Sequence, residues 1–283
     1  MRNLSTLAWR VYDAPTKPWH GVVADTEGDD SVYVMRVERR DGVSQLTLAH
    51  ITPTGTEELA VLEVASAPPH VPDVADFRLL ADGGSSVNHM PAICVIGSGG
   101  DIVLMPVDEE ASAPAEVVGS VDQGILAAAW SPEEDVLVLI TGGEKRLIVM
   151  TREFEVMSET MLSTEAFGDD QPVNVGWGSK STQFHGSEGK QAAMAAANAP
   201  EESDPRGPLV PEDDGLPRIS WRGDGAFFVT SSAEASHDTV HRILRTYTRT
   251  GTLSATSDRS VRGISHVLAC RPTGNLIATT QRM

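Results

Sequence analysis

Nine short apolar runs, rich in β-branched residues, constrain this chain more than any other feature. They are SVYVMRV, QLTLAHI, LAVLEV, AICVIG, DIVLMPV, DVLVLITG, RLIVMT, AFFVTSS and NLIATT, and Gly, Pro, Asp or Ser residues punctuate them. Runs this short suit pleated strands and leave little room for helices. The one helix-favouring stretch is GKQAAMAAANA, which leads straight into a polar segment. The chain therefore reads as all-β.

The runs also recur in a fixed arrangement. ILAAAWSPEEDVLVLITG carries Trp130, NVGWGSKSTQFHGS carries Trp177, RISWRGDGAFFVTSS carries Trp221, and HVLACRPTGNLIATT has Cys270 where a Trp would stand. The intervals are 47, 44 and 49 residues. A period in the mid-40s with a strand, a W-S-P-type turn and a second strand belongs to a WD40-like β-propeller blade. The turn residues have a mechanical role: Pro132 and Pro272 preset φ, and Gly225 and Gly274 supply the backbone freedom of a tight hairpin. KRLIVMTREFEV and HRILRTYTRTGTL supply the later strands of a blade. FRLLADGGSSVNHMPAICVIGSGGDIVLMPV and SVYVMRVERRDGVSQLTLAHITPTGTEELAVLEV keep the layout without the Trp. At this period 283 residues make about six blades of an expected seven, the last breaking off after its second strand, so the reading is of a propeller truncated before closure. Residues 185–217, dominated by Pro, Ala and acids, are expected to be a long mobile loop inserted in one blade.

Composition narrows the function. Hydrophobic residues make up 40%, enough for a sizeable core, and the formal net charge is −18. So acidic a chain repels phosphate backbones and anionic membranes. Direct nucleic-acid binding needs a basic stripe, and the densest basic stretches, RVERR (36–40) and HRILRTYTR (241–249), are modest against 40 acids. Cys94 and Cys270 lie in apolar runs without metal-ligand spacing and read as buried thiols. No apolar stretch approaches the roughly 18 residues a membrane span needs, and MRNLSTLAWRVYDAP lacks a signal-peptide apolar region. These readings point to a cytoplasmic or nuclear protein.

Motifs that suggest chemistry have plainer explanations. HGSEGK (185–190) places two residues between its glycines where a phosphate loop has four, and Gln191 follows the Lys in place of Ser or Thr. GSGGD (97–101) joins two strands and offers no helix N-terminus to a phosphate. His237 and His241 have i, i+4 spacing, which binds zinc only on a helix, whereas ASHDTVHRILRTY reads as loop into strand. No G-x-S-x-G is present. EESDPRGPLVPEDDG reads as a solvated spacer, with a partner-binding acidic loop as the alternative. An enzyme built on a propeller would repeat acid, base or metal residues at corresponding strand ends, where this chain has Ser, Gly, Ala and Trp.

ILAAAWSPEEDVLVLITG, LIVMTREFEVMSE, FGDDQPVNVGWGSKSTQFHGSEGKQAA, ISWRGDGAFFVTSS, GTLSATSD and RPTGNLIATTQR together resemble the N-terminal propeller of the Elongator complex protein 1 family, the large scaffold subunit of Elongator. The resemblance is dense from about residue 120 and thinner before it. It implies a non-catalytic scaffold, with no cofactor, in a complex that modifies the wobble uridine of certain tRNAs at carbon 5. It further implies two partners: a catalytic subunit that uses an iron–sulfur cluster, S-adenosylmethionine and acetyl-CoA, and a second, all-propeller subunit. Contact with tRNA would be indirect, and dimerisation would use regions beyond this chain. The alternative is a generic WD40-type interaction scaffold unrelated to tRNA modification.

Overall fold

All nine apolar runs are strands. A computed structural model of the chain describes residues 19–24, 32–52, 55–80, 91–107, 114–162, 208–236, 239–257 and 263–281, and among these there is no helix. The strands form consecutive antiparallel meanders. Sheet one holds β1 (Trp19–Ala24), β2 (Val32–Arg40), β3 (Val43–Ile51) and β4 (Thr56–Ala65). Sheet two holds β5 (Val74–Leu80), β6 (Ala92–Gly97), β7 (Asp101–Pro106) and β8 (Glu116–Ser120). Sheet three holds β9 (Ile125–Trp130), β10 (Val136–Thr141), β11 (Arg146–Thr151) and β12 (Val156–Met161). Sheet four holds β13 (Arg218–Trp221), β14 (Phe227–Ser236), β15 (Thr239–Thr248) and β16 (Leu253–Thr256). A two-stranded sheet of β17 (Ile264–Cys270) and β18 (Ile277–Gln281) follows.

The first strands of successive sheets lie side by side, β1 against β5, β5 against β9, β9 against β13 and β13 against β17. This stacking of whole meanders about their first strands is the propeller arrangement. It explains why DVLVLITG carries no polar alternation. Successive strand residues face opposite ways. Leu137 and Leu139 of β10 therefore pack on Cys94, Ile96 and Leu104 of sheet two, while Val136, Val138 and Ile140 pack on Trp221, Phe228 and Tyr247 of sheet four. All six residues of β10 are buried, as are all six of β6, because both faces are covered. Three apolar seams result, between sheets one and two, two and three, and three and four. At about 1.5–3 kcal/mol per large side chain removed from water, they are the main source of cohesion.

The sheets also join through their ends. The β6–β7 turn accepts from the strand that follows it in the next sheet, Ile125 N–H to Ser98 O at 3.1 Å, and donates from Ser98 N–H to Asp73 O at 2.9 Å. Gly142 N–H, in the β10–β11 turn, reaches Gly124 O at 3.0 Å. GSGGD is thus a hairpin turn, as expected, and Gly99 approaches the preceding sheet so closely that a Cβ would lie 2.0 Å from Ala65 O.

About six blades were expected of the whole chain. The described residues form four full sheets and one two-stranded sheet. The sheets of Trp130 and Trp221 are direct neighbours through β9 and β13, so these tryptophans stand one sheet apart, not two. The intervals of 47 and 44 residues through Trp177 do not show this adjacency, because they measure chain length and not neighbourhood. Trp177 lies outside the described residues, as does HGSEGK. Of the expected loop over 185–217, residues 208–217 pack onto sheet four, with Val210 and Pro217 buried, and 185–207 lie outside the described residues.

Candidate functional site

The turn between the first two strands of a sheet is the recurrent unit. Trp130 pairs with Leu137, Trp221 with Phe228 and Cys270 with Ile277, each residue ending its strand. The next residue closes the turn identically: Ser131 N–H to Val136 O at 2.7 Å, Arg222 N–H to Phe227 O at 3.1 Å, and Arg271 N–H to Leu276 O at 2.9 Å. Pro132 and Pro272 sit at the second position, as the sequence suggested. The fourth position takes positive φ: 58° at Glu134, 65° at Gly225 and 88° at Gly274. Glycine adopts that conformation freely, and a glutamate does so at a cost. In the turn after Trp221 the second position is Gly223, and a Cβ there would lie 2.6 Å from Pro272 O, so the fourth and fifth turns are in close contact.

Each slot residue plugs a seam. Trp130 is 3% exposed and meets the Phe154 ring edge-on, centroids 5.9 Å apart, within the seam against sheet two. Trp221 is 9% exposed, tilts against Phe228 at 4.9 Å and donates its indole N–H to Ala129 O of sheet three at 3.2 Å. Cys270 is half-buried. Its N–H donates to Ser220 Oγ at 2.9 Å and its thiol to Ser220 O at 3.3 Å, and burial raises its pKa. Cys94 is fully buried in the seam between sheets two and three, where burial pushes its thiol far up. Sheet two fills the slot with Leu79, opposite Ile93, which the sequence reading missed because nothing but its spacing from Trp130 marks it.

Charged groups concentrate around these turns. Ser131 is buried; its Oγ donates to Asp135 Oδ1 at 2.6 Å and accepts from Val136 N–H at 3.1 Å. Glu134 accepts from Arg78 Nε of sheet two at 3.0 Å, and Asp135 pairs with Arg249 of sheet four. The W-S-P turn of sheet three is therefore gripped from both neighbouring sheets. Burial alone would raise the Asp135 pKa, but Ser131 and Arg249 hold it below the ordinary carboxylate value.

A second cluster lies on the long β14–β15 hairpin. Arg242 and Asp213 both have side chains 0% exposed, and Arg242 donates to both Asp213 oxygens at 2.5 and 2.6 Å and to Leu216 O at 2.9 Å. Burial raises the Asp213 pKa, and the Arg242 hydrogen bonds and Gly215 N–H outweigh it, for a net lowering. On the opposite face Arg245 grips Glu234, with its second nitrogen 2.9 Å from Oε2, and Lys145 of sheet three donates to Ala233 O at 2.8 Å. Asp213, Asp214 and His266 come within 4.8 Å of one another, the one group with metal-ligand character among the described residues. Arg242 and Arg218 already occupy the two carboxylates, so the corner is an ion-pair network. His241 lies on β15, the strand that ASHDTVHRILRTY was read to enter, and His237 is outside the described residues.

The two basic stretches weighed for tRNA contact are internally spent. Arg36 and Arg40 pair with Glu38 at 3.4 and 3.1 Å, and Arg39 with Asp73 at 2.7 Å. Arg242, Arg245 and Arg249 pair with Asp213, Glu234 and Asp135.

The family model of the ELP1 first N-terminal beta-propeller matches residues 1–283. Among similar proteins, Elongator complex protein 1 of Mus musculus is 34% identical over 292 residues, covering 99% of this chain and 19% of that protein. Elongator complex protein 1 of Drosophila melanogaster is 40% identical over 194 residues, covering 68% and 14%, and that of Schizosaccharomyces pombe 37% identical over 190 residues, covering 66% and 15%. The chain spans about a fifth or less of the length of these curated relatives. Its stacked four-stranded meanders, the repeated turn at Trp130, Trp221 and Cys270, and a match that runs from end to end agree: the chain belongs to the ELP1 first N-terminal beta-propeller family.

Proposed function

We propose that this chain is the propeller portion of a non-catalytic Elongator scaffold subunit, supporting carbon-5 modification of the tRNA wobble uridine in the cytoplasm. The observation that carries the reading is the end-to-end family match, on a propeller whose sheets are joined by ion pairs such as Arg78–Glu134 and Arg249–Asp135. The turn residues at Trp130, Pro132, Trp221, Gly225, Cys270, Pro272 and Gly274 act structurally, in registering one sheet on the next. The partners are the catalytic subunit and the second propeller subunit. tRNA is met through the complex, without a cofactor on this chain, and dimerisation belongs to regions beyond it. The experiment compares the full-length subunit with a version lacking residues 1–283, reading co-purification of the catalytic subunit and wobble-uridine modification in the same cells. Loss of both is expected. Unchanged recovery and unchanged modification would overturn the assignment.

A further inference from the structure

The outer strands of the four full sheets differ in what they show to solvent. Among the described residues, β4 exposes one large apolar side chain, Val61, β8 exposes one, Val117, and β16 exposes none. β12 exposes three of its six residues: Val156 at 58%, Met157 at 47% and Met161 at 40%. It is the edge of its sheet, in the order β12-β11-β10-β9. Its register on β11 sets Val156 opposite Met150, Glu159 opposite Ile148 and Met161 opposite Arg146. Ile148 and Met150 face the seam against sheet two, so Val156, Glu159 and Met161 continue that face out to the rim. The opposite face is taken: Ser158 Oγ donates to Thr250 O of sheet four at 2.7 Å. Both ends of the strand are fixed, by Thr151 N–H to Glu155 O at 2.8 Å and Leu162 N–H to Lys145 O at 2.9 Å. In the turn that leads into it, Phe154 takes φ 63° and turns its ring inward to Trp130. Glu153 and Glu155, on either side, are exposed and have no ion pair among the described residues.

We propose that β12 is a docking edge for an extended segment of a partner protein in which apolar residues alternate with Lys or Arg. An edge strand offers unpaired backbone groups to another chain, and natural edges are usually blunted by charge. Here the edge is apolar and the charge stands beside it. Backbone pairing supplies the attachment and alternate side chains the specificity. Apolar side chains of the added strand cover Val156 and Met161 on the open face. The choice of basic residues follows from charge complementarity. Glu144, Glu153, Glu155 and Glu159 surround the strand against Arg146 and Arg152, and Arg146 is already shared between Glu144 and Glu159. An acidic segment would be repelled there and a basic one drawn in. The proposal rests on the scaffold reading for its setting, while its test reads binding by this chain alone.

Titration of the 283-residue chain with the end-blocked peptide Lys-Val-Lys-Val-Lys-Val-Lys, read by calorimetry and by amide hydrogen exchange, tests this. The expected result is saturable binding that slows exchange within residues 156–161 and leaves β4 and β8 unchanged. Val156→Lys with Met161→Lys should weaken binding by about tenfold or more. Val61→Lys with Val117→Lys makes the same change of charge on β4 and β8 and should leave binding unchanged. All four positions are exposed, so both double variants keep the core intact. The matching peptide with Glu in place of Lys should not bind. No binding of the Lys peptide, equal weakening by the two double variants, or equal binding of the Glu peptide would each overturn the proposal. So would self-association of the parent chain that Val156→Lys with Met161→Lys abolishes, because the edge would then belong to a second copy.

Discussion

The seam between sheets two and three and the seam between sheets three and four are built on the same backbone plan with different chemistry. In the first, Leu139 and Ile148 face one another across β10 and β11 and pack on Cys94 and Ile96. In the second, the equivalent positions of β14 and β15 hold Thr230 and Arg245. Near the turns both seams are aromatic: Trp130 with Phe154 in one, Trp221, Phe228 and Tyr247 in the other. Away from the turns the first is mainly apolar, with Asp76 as its buried acid, while the second becomes ionic, with Arg245, Glu234, Ser232 and Lys145 clustered there. At the aromatic end of the second seam the Tyr247 hydroxyl donates to Leu162 O at 3.4 Å. In the second seam Arg245 adds directional, charge-assisted contacts to the aromatic packing.

The largest effects are expected where the seams are alike. Trp130→Ala and Trp221→Ala should each cost about 3–5 kcal/mol in denaturant unfolding, since both delete a buried aromatic plug. A loss below about 1 kcal/mol at either would show that its seam does not depend on the slot. The next largest effect separates the seams. Glu234→Ala leaves the 5%-exposed Arg245 without its partner and should cost about 3 kcal/mol. The double change Arg245→Met with Glu234→Leu imports the chemistry of the first seam and should return stability to within about 1 kcal/mol of the parent. A double variant as unstable as Glu234→Ala would mean the ion pair is irreplaceable at that place.

Much of this architecture was legible in the sequence, for a physical reason. Strands buried on both faces must be apolar throughout, so β6 and β10 announced themselves as AICVIG and VLVLIT. Trp130 and Trp221 were legible because a turn of fixed length follows each. What hid was long-range pairing. Arg78 gave no sign that it would reach Glu134, 56 residues on, nor Arg249 that it would reach Asp135, 114 residues back. The HRILRTYTR stretch looked like a basic patch because its partners, Asp213, Glu234 and Asp135, are remote in sequence or read as a solvated acidic run. The adjacency of the Trp130 and Trp221 sheets was hidden for a related reason: spacing measures chain length and not which sheets are neighbours.

Acid titration should set the two seams against each other. Asp76, facing the first seam opposite Ile96, has a pKa pushed up to about 6 by burial, against the help of the Phe77 amide and Arg78. An acid whose folded pKa lies above its unfolded value contributes stability at low pH, and that contribution is lost as pH rises from about 4 through about 6. Glu234 faces the second seam. Burial raises its pKa, but Arg245 and Ser232 bring it below the ordinary value, so its contribution is present above that value and lost as pH falls through the lowered one. Asp76→Asn should therefore stabilise the protein by about 2–3 kcal/mol at pH 7 and have little effect near pH 4. Glu234→Gln should be destabilising at pH 7 and progressively less so in acid. The same pH trend for both variants would remove the electrostatic contrast between the seams.

The smallest effect tests the turn that the two seams share. Glu134 holds φ at 58° where the equivalent turns of the following sheets use Gly225 and Gly274. That conformation costs a non-glycine residue about 1 kcal/mol. In exchange Glu134 accepts from Arg78 across the first seam, an ion pair with side chains 33% and 21% exposed, worth up to about 1 kcal/mol. Glu134→Gly gives up the ion pair and relieves the backbone, so the two effects nearly cancel and the net change should stay within about 0.5 kcal/mol. Glu134→Ala gives up the ion pair and keeps the strain, so it should be about 1 kcal/mol less stable than the glycine variant. Repeating both substitutions in an Arg78→Met background isolates the backbone contribution, because no ion pair remains to lose. There the glycine variant should be more stable than the Glu134 parent by about 1 kcal/mol. Equal stability of the glycine and alanine variants in both backgrounds would mean that the fourth position carries no strain, and that glycine at 225 and 274 answers to some other demand of their turns.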